Sequence, residues 1–123
     1  MGLLVSLRHL CVTLSLTRKY TGEIYFAHDI LLGQDVILKL ERITAKHHTL
    51  EHEFHVYKKL GRDAGIPRAH WFGTEAGFNV MALDRLGQSL EHHFVQCDFH
   101  FSVKTVVLLA CQLVSGFDSL HRN

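Results

Sequence analysis

Lys39 lies within the run Val36-Ile37-Leu38-Lys39-Leu40. An ammonium in such an apolar segment needs a carboxylate or phosphate partner if it is buried; otherwise its stem must snorkel to water. Alternation along a strand puts Ile37 and Lys39 on one face and Val36, Leu38 and Leu40 on the other. The eleven histidines form a second cluster of chemical interest, with His47, His48, His52 and His55 close together. On a helix, His48 and His52 (i,i+4) and His52 and His55 (i,i+3) would share a face. His52-Glu53-Phe54-His55 is one residue short of the zinc-binding H-E-x-x-H pattern. Imidazoles at these spacings hold zinc or nickel adventitiously, but a solvated histidine-rich helix face is the expected reading, so no metal site is assigned. His92-His93 is read the same way. Cys11, Cys97 and Cys111 are odd in number and show no CxxC spacing, which suggests neither a disulfide framework nor a zinc clip. Reduced thiols fit a cytoplasmic or nuclear protein.

The elements that must position Lys39 can be read from periodicity. Leu10, Val12, Leu14 and Leu16 alternate with Cys11, Thr13, Ser15 and Thr17, which predicts a strand with one buried face. Ile24 to His28 and Val36 to Leu40 read as two more strands, joined by a hairpin turn around Gly33. Leu50, Phe54, Tyr57 and Leu60 recur at helical spacing. Thr49 is the expected cap of that helix, with His52 at the boxed position, and Gly61 is its expected stop. His70 to Phe72 and Phe78 to Leu83 read as strands around the turn Glu75-Ala76-Gly77. A short helix over Ser89 to Gln96 precedes a long one over Ser102 to Leu120. Within the latter, Val106 to Cys111 is apolar without interruption. A helix apolar all round is normally buried on every side, so the expectation is that this one needs a covering layer not found among these 123 residues.

Taken in order, these segments resemble the casein kinase 1 family of serine/threonine protein kinases. Gly22-Glu23-Ile24-Tyr25 looks like the end of a kinase Gly-rich loop entering its second strand. Val36-Ile37-Leu38-Lys39-Leu40-Glu41 looks like the strand carrying the phosphate-binding lysine. Leu50 to Leu60 resembles the αC helix, with Glu53 at the position of the glutamate that pairs with that lysine. Gly65-Ile66-Pro67, followed by Trp71 and Gly73, is typical of the family. Phe78 to Glu91 follows its fifth strand, hinge and αD start, and Phe101 to His121 resembles its αE helix.

The resemblance implies an α+β fold: a kinase-like N lobe with a five-stranded antiparallel sheet and one αC-type helix, followed by two helices of an incomplete C lobe. It divides the chain into an extension over 1–8, the N lobe over 9–86, and the hinge exit with αD- and αE-type helices over 87–123. It assigns Lys39 and Glu53 to the catalytic pair, and Gly22, Ile24, Ile37, Lys39, Leu83, Asp84 and Leu86 to the nucleotide cleft. Leu83 would be the gatekeeper, and Asp84 to Leu86 the hinge meeting the adenine edge. ATP and Mg are the implied cofactors.

Three departures weaken that assignment. The family loop is G-x-G-x-x-G, whereas this chain reads Thr17-Arg18-Lys19-Tyr20-Thr21-Gly22, so only the last glycine is kept. Thr17 and Lys19 place Cβ atoms where backbone N–H groups should approach phosphate. Ile37 replaces the small alanine beside the adenine. The third departure is catalytic. His121-Arg122-Asn123 ends the αE-like segment with asparagine where H-R-D would need aspartate, and D-F-G and A-P-E do not occur. The expectation is a truncated domain with weak or absent nucleotide binding and no activity alone. The alternative is a pseudokinase-like, non-enzymatic interaction module.

Composition limits the partners. In 123 residues, 13 Lys and Arg balance 12 Asp and Glu, so no electrostatic pull toward nucleic acid or anionic membrane is expected. Met1 to Leu16 is apolar but interrupted by Arg8 and His9; it is expected to be neither a signal peptide nor a membrane span. Met1 to Ser6 matches the myristoylation pattern, a short match that arises often by chance. The expected partner is a protein covering the apolar αE-type helix, or a second copy of the chain.

Overall fold

The computed structural model describes the backbone of residues 10–19 and 22, and residues 23–61 and 65–122 in full. The expected 1–8 extension, the myristoylation match and the side chains of Cys11, Thr17 and Lys19 lie outside the described residues. The α+β class holds. The elements run β1 (Leu10–Lys19), β2 (Gly22–Asp29), β3 (Gln34–Arg42), α1 (Leu50–Leu60), β4 (Ala69–Glu75), β5 (Phe78–Asp84), α2 (Leu90–Gln96) and α3 (Val103–Arg122). The strands form one antiparallel sheet in the order β1-β2-β3-β5-β4. Along β1 the register slips between Val12 and Leu14 and again between Ser15 and Thr17. The unbroken alternation expected there is therefore interrupted, because each irregularity offsets the pairing by a residue.

Two tight turns follow from local chemistry. Between β2 and β3, Asp29 Oδ1 accepts the Leu31 and Leu32 N–H groups, both at 3.0 Å, and Gly33 takes φ +64°. Between β4 and β5, Ala76 and Gly77 have φ of 51° and 82°, the left-handed pair that suits a two-residue hairpin.

Each face of the sheet buries a different core. Ala27, Val36, Leu38, Leu40, Val80 and Ala82 pack on one face with Trp71 and Phe78. On the other face Leu50, Phe54 and Tyr57 of α1 pack with Ala69, Phe72, Met81 and Leu83. The Leu50/Phe54/Tyr57 spacing thus does what periodicity predicts. Cross-strand register places Lys39 opposite Met81 and Ile37 opposite Leu83, so both lie on the face that α1 covers. Gly73 has a packing role beside Trp71: a Cβ there would run into the indole ring. A side chain at 73 must displace Trp71 from its core, at a cost of about 1–3 kcal/mol.

The helix boundaries bring two corrections. Thr49 occupies the N-cap position of α1, but its side chain makes no capping hydrogen bond. Its ψ of −17° departs from the extended backbone that aims a cap hydroxyl at the helix amides. By contrast, Ser89 has extended φ and ψ and its Oγ accepts the His92 N–H. The second correction concerns α3, which runs through Gly116 and has no buried residue. Over its full length its polar groups concentrate on one side, although Leu108 and Cys111 fall among them at 3.6 residues per turn. Val106, Leu109, Leu113, Phe117 and Leu120 recur at three- and four-residue steps, while Lys104, Gln112, Ser115, Asp118 and Arg122 gather on the opposite side. By length and composition α3 is also sufficient to cross a bilayer, with a mean hydropathy of 1.4 over its most apolar window.

Candidate functional site

The site is built where β3 faces α1. Lys39 Nζ donates to Glu53 Oε1 at 2.9 Å and to Oε2 at 2.7 Å. The side chains are 22% and 29% exposed, so the pair is held against protein on one side and open to solvent on the other. A charge-assisted pair with both carboxylate oxygens engaged is among the stronger side-chain contacts. Its partial exposure keeps its net contribution to stability modest.

Other residues singled out from the sequence fall around this pair. Ile24 lies opposite Lys39 across β2 and β3. Ile37 is 9% exposed and Leu83 5% exposed, so the sheet surface beside Lys39 is filled by branched side chains. Asp84 ends β5, and Leu86 is exposed in the segment that follows. Gly22 pairs with Lys19 at the β1–β2 hairpin.

Asp84 is committed elsewhere. Its Oδ2 accepts the Arg68 N–H at 2.9 Å, and its Oδ1 lies 2.5 Å from His70 Nε2. Burial pushes its carboxyl up, but the Arg68 N–H and His70 outweigh that effect, and its pKa lies below the ordinary aspartate value. The neighbouring Arg85 is also engaged. Its guanidinium bonds Asp35 Oδ2 at 2.8 Å and lies over the Phe26 ring, 4.9 Å from the centroid.

Sequence reasoning missed Glu41. It is buried, and its Oε1 accepts the N–H of Thr49 at 2.8 Å and of Leu50 at 3.4 Å. Asn79 Nδ2 donates to its Oε2 at 3.3 Å, and His48 Nδ1 lies 3.4 Å from the same oxygen. The carboxylate of a strand thus caps the helix that Thr49 was expected to cap. Period-two alternation along β3 extends the face of Ile37 and Lys39 to Glu41. What it lacked was any indication that the helix start would fold back over that face.

The histidine cluster does not assemble as a metal site. His48 precedes α1 and so cannot share a helix face with His52. Among the described residues, no three His, Cys, Asp or Glu side chains converge on a point that would hold a metal ion.

The Glu41 cap carries an acid-stability prediction. Burial raises its carboxyl pKa, but the Thr49 N–H, Asn79, His48 and the Leu50 N–H outweigh burial and hold it below the ordinary 4.5. A depressed folded pKa gives stability that is complete above the unfolded value and lost as pH falls through the folded one. Chemical denaturation is expected to show constant stability from this group above about pH 5, declining below about pH 4.5. Glu41→Gln should flatten that decline, and an unchanged acid limb in the variant would contradict the assignment.

A scan of protein-family models finds none that matches this chain.

Proposed function

We propose that this chain is a casein kinase 1-like serine/threonine protein kinase lobe with a degraded ATP cleft, in which Lys39 and Glu53 retain the geometry of a phosphate-holding pair. The observation that carries the reading is the bidentate contact between β3 and α1. In protein kinases a strand lysine held by a helix glutamate presents its ammonium to the nucleotide phosphates, and both residues must be in place. The antiparallel sheet with one helix laid on the Lys39 face is the arrangement such an N lobe requires, and α2 and α3 follow β5 in the chain order that αD and αE would.

The same reading explains why binding should be weak. Ile37 and Leu83 fill the surface where an adenine would lie, and Thr17 and Lys19 replace two loop glycines. Overfilling of this kind costs about 1–3 kcal/mol, or roughly one to two decades of affinity.

Isothermal titration with Mg-ATP tests both halves. The unaltered chain is expected to bind weakly or undetectably. A T17G/K19G/I37A variant is expected to bind about 10–100-fold more tightly and to lose that gain when Lys39→Met is added. Micromolar binding by the unaltered chain would remove the steric argument. A folded T17G/K19G/I37A variant that binds no better than the parent would remove the nucleotide reading itself.

The second reading is a pseudokinase-like interaction module without catalysis. The exposed apolar side of α3 favours it, with Val106, Leu113 and Phe117 all more than half exposed.

A further inference from the structure

Lys39 and Glu41 sit two residues apart on one face of β3, and each reaches α1 by a different route. Lys39 grips the Glu53 carboxylate. Glu41 holds the backbone of the first turn through the Thr49 and Leu50 N–H groups. The two contacts are linked through one residue: Thr49 N–H donates to Glu41, and the Thr49 carbonyl accepts the Glu53 N–H at 2.9 Å. A path of two hydrogen bonds therefore runs from the Glu41 carboxylate to the backbone of the residue that pairs with Lys39.

We propose that Glu41 is a positioning residue for the Lys39–Glu53 pair, fixing the height and rotation of the first turn of α1 so that Glu53 meets Lys39. Two long side chains with several rotors each do not define a helix orientation by themselves. Leu50, Phe54 and Tyr57 seat the apolar side of α1 on the sheet, but only Leu50 of these lies in the first turn. Glu41 adds a directional polar constraint on the backbone of that turn and is itself well anchored. Asn79 lies directly opposite it in the β3–β5 register and donates to its second oxygen. The functional consequence, an ammonium presented to phosphate, rests on the kinase-like reading above; the positioning itself does not.

The test is a double-mutant cycle read by urea unfolding at low protein concentration, without nucleotide. Lys39→Met, Glu53→Gln and the double variant are measured in the parent chain and again in Glu41→Ala and Glu41→Gln backgrounds. In the parent, the Lys39–Glu53 coupling is expected to change the unfolding equilibrium constant about fivefold, within the range for residues in contact. It should fall to near one in Glu41→Ala and to an intermediate value in Glu41→Gln, which keeps one acceptor oxygen. Val80→Ala, in the core on the opposite face of the sheet, should lower stability and leave the coupling intact.

A merely structural Glu41 would lower stability without moving the coupling, and that result would overturn the proposal. So would the absence of coupling in the parent. If Glu41→Ala does not fold, Glu41→Gln carries the same comparison. Because no nucleotide enters the measurement, its failure is distinguishable from failure of the titration with Mg-ATP.

Discussion

Incubated with radiolabelled ATP, magnesium and casein, the purified 123-residue chain is expected to incorporate no label above background. Phosphoryl transfer depends on positioning and charge stabilisation more than on covalent chemistry. It needs a phosphate cradle, a lysine with its glutamate, a group that positions the acceptor hydroxyl, and carboxylates or amides that hold magnesium. Lys39 and Glu53 suit the second requirement. For the others, several carboxylates on and beside the sheet are already engaged. Glu41 caps α1, Asp84 binds Arg68 and His70, and Asp35 binds His28 and Arg85. On α3, Asp118 pairs with Arg122 one helical turn away.

Metal-assisted charge stabilisation is worth several kcal/mol, and each 1.36 kcal/mol is about tenfold in rate. Without both metal and base, transfer should fall by many decades. The control is Lys39→Met. Label incorporated by the parent chain and abolished in that variant would overturn the expectation and require a catalytic carboxylate that none of these assignments supplies.

The second large effect is on assembly. At high concentration the chain is expected to scatter light as oligomers or aggregates rather than as a monomer. Leu109, Leu113, Phe117 and Leu120, with Ile66 and Leu90, line an open groove of about 710 Å3. Val107 and Val114 extend the apolar surface beyond it, at 54% and 68% exposure. Contiguous apolar surface on this scale marks interfaces or aggregation in soluble proteins. Replacing Leu113 and Phe117 with lysine should shift the population toward monomer, because each ammonium would have to be desolvated in the contact. A monodisperse monomer from the unaltered chain under the same conditions would count against this surface being adhesive.

Much of the sheet face that carries the site could be read from short-range pattern. Alternation around Lys39 placed it with Ile37, and 3.6-residue spacing found the side of α1 that packs through Leu50, Phe54 and Tyr57. The turns at Gly33 and Ala76-Gly77 were each marked by a glycine, the residue suited to positive φ. In each case the deciding interaction lies within a few residues of chain, so side-chain type and spacing carry the information. That the Lys39 ammonium and the Glu53 carboxylate would meet came from the ordered resemblance of segments, since spacing alone equally allows a snorkelling lysine and a wet glutamate.

The α3 reading shows the limit of a short window. Six consecutive apolar residues suggested a helix buried all round, whereas α3 has no buried residue and, over twenty residues wound at 3.6 per turn, gathers most of its polar groups opposite Val106, Leu109, Leu113 and Phe117. The α1 cap shows a different limit. From sequence, local preference makes Thr49 the residue expected to satisfy the orphan amides of the helix. Packing reverses that choice. Once α1 packs on β4 and β5 beside β3, the Glu41 carboxylate is buried against the helix start, with Asn79 and His48 beside it. A buried anion that loses water must recover hydrogen bonds, and the nearest donors are the Thr49 and Leu50 N–H groups. The need for a cap is a property of the helix alone, but which residue provides it depends on which polar group is stripped of water when sheet and helix come together.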